Sequence, residues 1–155
     1  MGQVRTSDGI QLHHEEAGAG RPLVVLHGWT SSGRFLDRSA RPGRARPRRH
    51  GERELFLAEM AECPPSARVA VMSDHTRADW RDLLPAIDLP TLVCVARQDA
   101  VFDWRGPAWV GEHVPGARTD FFEDSGHALL LDETERFDDV VTAFLREHPG
   151  PADDA

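Results

Sequence analysis

Leu92-Val93-Cys94-Val95-Ala96 runs straight into Arg97-Gln98-Asp99. Further on, Thr119-Asp120-Phe121-Phe122 runs into Glu123-Asp124-Ser125-Gly126-His127. The first stretch is a short continuous apolar run with a β-branched bias, which predicts a buried strand. The second predicts another strand that ends just before a turn. Each strand delivers one group with acid–base chemistry, Asp99 past the first and His127 past the second. A carboxylate can orient an imidazole and support its charged form, so the two together are two parts of a catalytic triad.

Between the two strands, Trp104, Trp109 and Val110 predict a helix that Pro115-Gly116 ends. After His127 comes the clearest helical pattern in the chain. Phe137, Val140, Val141, Phe144 and Leu145 recur at i, i+3, i+4, i+7 and i+8, which makes one apolar stripe. Asp132 with Glu135 reads as its N-terminal capping signature, and Pro149-Gly150 as its stop. The tail, 151–155, is expected to fray.

Upstream, Leu89-Pro90 leads into the first strand. Val69, Met72, Trp80, Leu83, Leu84 and Ile87 suggest a loosely striped helix that Ser66 caps and that closes near Pro85. Leu55, Phe56, Leu57, Met60 and Ala61 suit a shorter amphipathic helix stopped by Pro64-Pro65, with order returning at Glu52. Before it, residues 38–52 are rich in Arg, Pro and Gly and hold no large apolar residue that could enter a core. They read as a solvated linker.

At the start of the chain, residues 3–16 read as two short strands around the turn signal Ser7-Asp8-Gly9. His13, His14, Glu15 and Glu16 do not form a metal set, because adjacent strand residues point to opposite faces. The myristoylation pattern Met1-Gly2-Gln3-Val4-Arg5-Thr6 reads instead as the start of a strand. Leu23-Val24-Val25-Leu26 predicts a strand buried on both faces, stopping at His27-Gly28-Trp29.

The composition limits what partners to expect. The chain has 155 residues, 40% hydrophobic and 28% charged, enough for a real core. The formal net charge of -8 opposes binding to nucleic acid or an anionic membrane. All 18 basic residues are Arg, which we read as coding bias. Two cysteines make no disulfide framework, so a cytoplasmic setting is expected, with Cys94 as a small core residue. No apolar stretch reaches the length of a membrane span.

Over residues 3–37 and 53–147 the chain resembles the α/β-hydrolase fold family, in its small esterase, lactonase, epoxide-hydrolase and haloperoxidase-like group. Three features carry the resemblance, in the right order: Leu23 to Trp29, Leu89 to Asp99, and Asp124-Ser125-Gly126-His127 with the helix that follows. The resemblance implies an α/β fold, an incomplete α/β-hydrolase sheet flanked by helices with a remnant of the helical cap. It implies one domain built of 1–37 (N-terminal strands and oxyanion loop), the 38–52 linker, the 53–88 cap remnant, 89–147 (acid strand, His loop and closing helix) and the 148–155 tail. It also implies that His127 is the general base and Asp99 its partner. His27, Gly28 and Trp29 would form the oxyanion and substrate loop, with the Trp29 backbone N–H aimed at developing charge. The substrate would be a small ester-like molecule, with no metal and no cofactor.

The chain departs from this pattern at the nucleophile. No G-x-S-x-G elbow occurs anywhere in it, with Ser, Cys or Asp at the centre. Ser31, Ser32 and Ser73 are the substitutes to weigh, Ser73 because Val69-Ala70-Val71-Met72 imitates a strand before an elbow. Loss of central strands would leave sheet edges and apolar faces open, which favours self-association. The leading expectation is a truncated hydrolase that keeps acid and base and turns over weakly or not at all. The alternative is a non-catalytic binding protein, or a gene remnant, of the same fold.

Overall fold

The computed structural model describes residues 2–19, 23–26, 28 and 49–149, with backbone only for 49–53, 55 and 56. Two compact units divide the chain, Met1–Arg77 and Ala78–Ala155.

In the first unit, β1 (Gly2–Arg5) and β2 (Gln11–His14) pair antiparallel, Gly2 opposite His14 and Arg5 opposite Gln11. The turn closes as the sequence predicts. Thr6 N–H donates to the Ile10 carbonyl at 2.9 Å, Gly9 N–H donates to the Thr6 carbonyl at 2.9 Å, and Gly9 takes φ 91°. That backbone region is open to glycine at no steric cost. The pleat separates the four polar residues of this arm. His13 lies 3.7 Å from Glu15, and His14 lies 3.2 Å from Glu16.

Three expectations change in this unit. Leu23–Leu26 is not a strand, and its side chains are 59, 81, 42 and 84% exposed. A ladder needs a partner, and among the described residues none pairs with this run. Helix α1 spans Arg49–Glu62, so the basic stretch supplies its first residues and order returns before Glu52. Arg and Glu are good helix formers, which lets the helix grow back into that stretch. Residues 38–48 lie outside the described residues.

Helix α2 spans Pro65–Arg77 and buries none of its residues; Val69 and Val71 are 66 and 54% exposed. The striped helix expected to reach Pro85 therefore stops at Arg77, with Ser66 inside its first turn rather than at its cap. Beyond its end, the Asp79 carboxylate accepts the Arg81 backbone N–H at 3.1 Å and its guanidinium at 2.8 Å. A local side-chain bond of this kind competes with helix continuation.

The second unit is built around the two runs that lead into Asp99 and His127. Strand β3 (Leu92–Ala96) and β4 (Arg118–Phe122) pair in parallel, Leu92 opposite Arg118 and Ala96 opposite Phe122. Helix α3 (Arg105–His113) crosses between them, as a parallel pair requires. A Cβ at Gly111 would run into the Thr119 side chain, so glycine is what lets α3 lie this close to β4. Val114 closes the helix, and Gly116 at φ 71° turns the chain into β4.

Among the described residues the buried apolar ones are Val95, Ala96, Val114 and Phe122. Helix α4 (Leu129–Asp132) and helix α5 (Thr134–Glu147) complete the unit. In α5 the predicted stripe is the half-buried face, and Phe137 meets Phe122 with ring centroids 6.4 Å apart. The expected capping signature is not used. Glu133 occupies the N-cap position without a side-chain cap bond, because the carboxylates of Asp132 and Glu133 are engaged with the His loop. Among the described residues no helix is long and apolar enough to cross a membrane.

Cys94 is half-buried, opposite Asp120 across the β3–β4 ladder. Burial, then the nearby Asp120 charge, pushes its thiol up to about 11. The thiolate is the reactive form, so Cys94 is expected to resist iodoacetamide at pH 8 in the folded chain and to react promptly in denaturant. Peptide mapping of the alkylated chain checks this. Equal labelling of Cys94 before and after unfolding would contradict the protection.

Candidate active site

Parallel strands end on the same side, so β3 and β4 bring residues 97–99 and 123–127 together. Backbone bonds zip the two ends. Arg97 N–H donates to the Phe122 carbonyl at 3.0 Å, and Gln98 N–H donates to the Ser125 carbonyl at 2.9 Å. The Gln98 side-chain amide donates to the Glu123 carbonyl at 3.2 Å. Arg97 also packs its guanidinium 3.8 Å from the Trp104 ring centroid and pairs with Glu123 at 3.3 Å.

On this platform His127 Nδ1 lies 2.9 Å from Asp99 Oδ2. The Asp99 side chain is 13% exposed and that of His127 53%. The other Asp99 oxygen accepts the backbone N–H groups of Val101 at 2.7 Å and Phe102 at 3.1 Å. Burial raises the Asp99 pKa but is outweighed by the His127 bond and the two backbone donors, which hold the carboxyl below its ordinary value. An ionised Asp99 accepts from Nδ1–H and leaves Nε2 as the basic nitrogen. The Phe102 ring sits 5.4 Å from the imidazole, tilted by 54°, and 44% of Phe102 is exposed.

Behind the His loop is a polar network that sequence reasoning missed. Ser125 is 0% exposed, and its hydroxyl donates to Glu133 Oε1 at 2.6 Å. Gly126 N–H donates to Asp132 Oδ2 at 2.9 Å. Arg136 donates to Glu133 Oε2 at 3.1 Å, donates to the Phe121 carbonyl, and stacks 4.2 Å from the Phe122 ring centroid. The Ser125 bond first, with help from Arg136 and the Asp124 backbone, holds the Glu133 carboxyl below its ordinary value against some burial. The available signal was two consecutive carboxylates before α5, of which Asp132 reads in sequence as part of a capping signature with Glu135.

His27 and Trp29 lie outside the described residues, as do Ser31 and Ser32. Gly28 is described and exposed, but it belongs to the first unit. Ser73 lies in the middle of α2, where its carbonyl accepts the Thr76 hydroxyl at 3.2 Å. The imitation strand before Ser73 is helical, so the strand-to-helix turn that an elbow needs is not formed there. Asp74 and His75 are exposed helix positions.

With a parallel strand pair, a crossover helix, an acid past one strand and a histidine past the next, this chain resembles part of the α/β-hydrolase fold, at partial coverage. It is 34% identical over 91 residues to a pimeloyl-(acyl-carrier protein) methyl ester esterase of Neisseria meningitidis serogroup C. That match covers 58% of this chain and 36% of the relative. Among solved structures it resembles an esterase of Thermogutta terrifontis, with TM-score 0.56 and 28% identity over 64% of this chain and 37% of that one. It also shares the fold of an esterase of Exiguobacterium antarcticum, with TM-score 0.61 and 24% identity over 65% of this chain and 38% of that one. The chain thus spans little more than a third of the length of the relatives it matches. No protein-family model matches it.

Proposed function

We propose that Asp99 and His127 are the acid and base of a serine-type hydrolase site for a small ester-like substrate, and that this chain turns over weakly or not at all because it has no nucleophile elbow. The observation that carries the reading is the 2.9 Å contact between His127 Nδ1 and an Asp99 carboxylate held by two backbone donors. That pairing occupies Nδ1 and leaves Nε2, on a half-exposed ring, to take a proton from a nucleophile or from water. The weakness follows from the sequence, in which G-x-S-x-G does not occur. In the intact chemistry the nucleophile would attack the acyl carbon, and His127 would carry its proton to the leaving group. The esterases that the chain resembles support the ester-like class.

No metal or cofactor enters this chemistry. The chain is taken to work in a reducing cytoplasm, on its two free thiols, without nucleic acid or membrane, and self-association fits its exposed apolar residues.

The test is intact mass after incubation with a fluorophosphonate, alongside His127→Ala. No adduct on a cooperatively folded chain is expected. A stoichiometric adduct that disappears in His127→Ala would refute the loss of the nucleophile, and peptide mapping would locate the serine.

A further inference from the structure

We propose that Glu133 is the positioning residue of the His127 loop, a latch that ties the loop to β4 through Ser125 and Arg136. The inference rests on the acid–base reading of Asp99 and His127 and goes beyond it, because Glu133 touches neither residue in the hydrogen bonds that define the pair.

Ser125 is two residues before His127 and fully buried. A buried hydroxyl needs a partner, and leaving one unmet costs more than an ordinary bond contributes. That partner is a carboxylate, Glu133 Oε1 at 2.6 Å, the short charge-assisted kind of bond. Glu133 is held in turn by Arg136 at 3.1 Å, and Arg136 is anchored on the Phe121 carbonyl and the face of Phe122. The path therefore starts on the strand before the loop and returns to the loop from the helix after it. Asp132 adds a second tie at the Gly126 N–H, one residue from His127. From the opposite side Gln98 N–H holds the Ser125 carbonyl, and Gln98 is next to Asp99. Both members of the pair are thus referenced to Ser125, and Glu133 fixes the Ser125 side chain. Supporting groups of this kind hold an acid–base pair within the few tenths of an ångström that hydrogen-bond geometry allows.

The experiment uses the full chain with 15N-labelled histidine and follows the two ring nitrogens of His127 and its Nδ1–H proton. In the unaltered chain a distinct, hydrogen-bonded Nδ1–H signal is expected. Glu133→Ala should reduce its intensity at least threefold and bring the two ring 15N shifts together. Glu133→Gln should restore most of it, since the amide oxygen still accepts from Ser125. A merely structural role would lower the melting temperature of Glu133→Ala and leave the His127 signature unchanged in the folded chain, which would overturn the proposal. Should Glu133→Ala not fold, Ser125→Ala decides in the same way, because it removes only the hydroxyl and leaves Glu133 paired with Arg136. Asp99→Ala separates the two readings. If it abolishes the signature while Glu133→Ala and Ser125→Ala do not, the latch is wrong and the acid–base pair stands. If Asp99→Ala leaves the signature intact, the pair itself is wrong.

Discussion

Replacing Phe122 with alanine is expected to remove about 3–5 kcal/mol of stability, the range for deleting a buried aromatic side chain. Phe122 is 0% exposed and is the largest fully buried side chain among the described residues. It ends β4 opposite Ala96, meets Phe137 of α5, and supports the Arg136 guanidinium on its face. Few other apolar residues of this unit are fully buried, so the cavity has little around it that can collapse inward. Small domains are commonly stable by only about 5–15 kcal/mol, so the second unit would lose a large share of its margin. Urea denaturation followed by tryptophan fluorescence measures it, with Trp104 and Trp109 reporting from beside β4 and within α3. A loss below about 1 kcal/mol, well under that range, would mean that Phe122 does not hold α5 to the sheet. Because Arg136 rests on Phe122, the same change is also expected to disturb the His127 loop.

Asp99→Ala is expected to cost about 1.5–3 kcal/mol, the scale of hydrogen bonds to a charged group, and to give that cost a pH dependence. One carboxylate accepts from Val101, Phe102 and His127. Its folded-state pKa is lowered, so its contribution is complete above the unfolded carboxyl value of about 3.9 and fades as pH falls through the folded one. The stability difference between the unaltered chain and Asp99→Ala should therefore be full at pH 6 and shrink below about pH 4. Asp99→Asn should retain part of the backbone bonding but lose this pH dependence. Its amide can also turn a donor toward Nδ1, which would select the wrong tautomer of His127. Denaturant midpoints for the three chains between pH 3 and pH 7 decide the matter. A difference that fails to shrink between pH 4 and pH 3 would sink the assignment of Asp99 as the ionised partner.

How far the sequence could be read depended on whether a signal was local. Leu92–Ala96, Thr119–Phe122 and the stripe from Phe137 to Leu145 each carry their period within a few residues, and each formed the expected element. That Asp99 and His127 meet was legible for the same reason, since each follows a recognisable strand and parallel pairing puts strand ends together. Ser7-Asp8-Gly9 was equally local, and it turned as expected.

Leu23–Leu26 shows where this reasoning stops. The run has strand composition, but a strand exists only through its ladder, and no ladder forms on it among the described residues. Val69–Met72 shows the converse, a strand-like tetrad that lies within a helix. Asp132, next to Glu133, looked like a capping group because its nearest backbone donors belong to α5. Tertiary structure turned them toward Gly126 and Ser125 instead, since a buried hydroxyl and a loop N–H need those acceptors more than a solvated helix end does. The sequence by itself determined the strand–helix–strand unit and the placing of Asp99 and His127 at its strand ends, because apolar periodicity and chain direction are enough to place them. Only the tertiary structure decided what holds that pair in position, because partners such as Ser125 and Glu133 are chosen by burial and not by spacing.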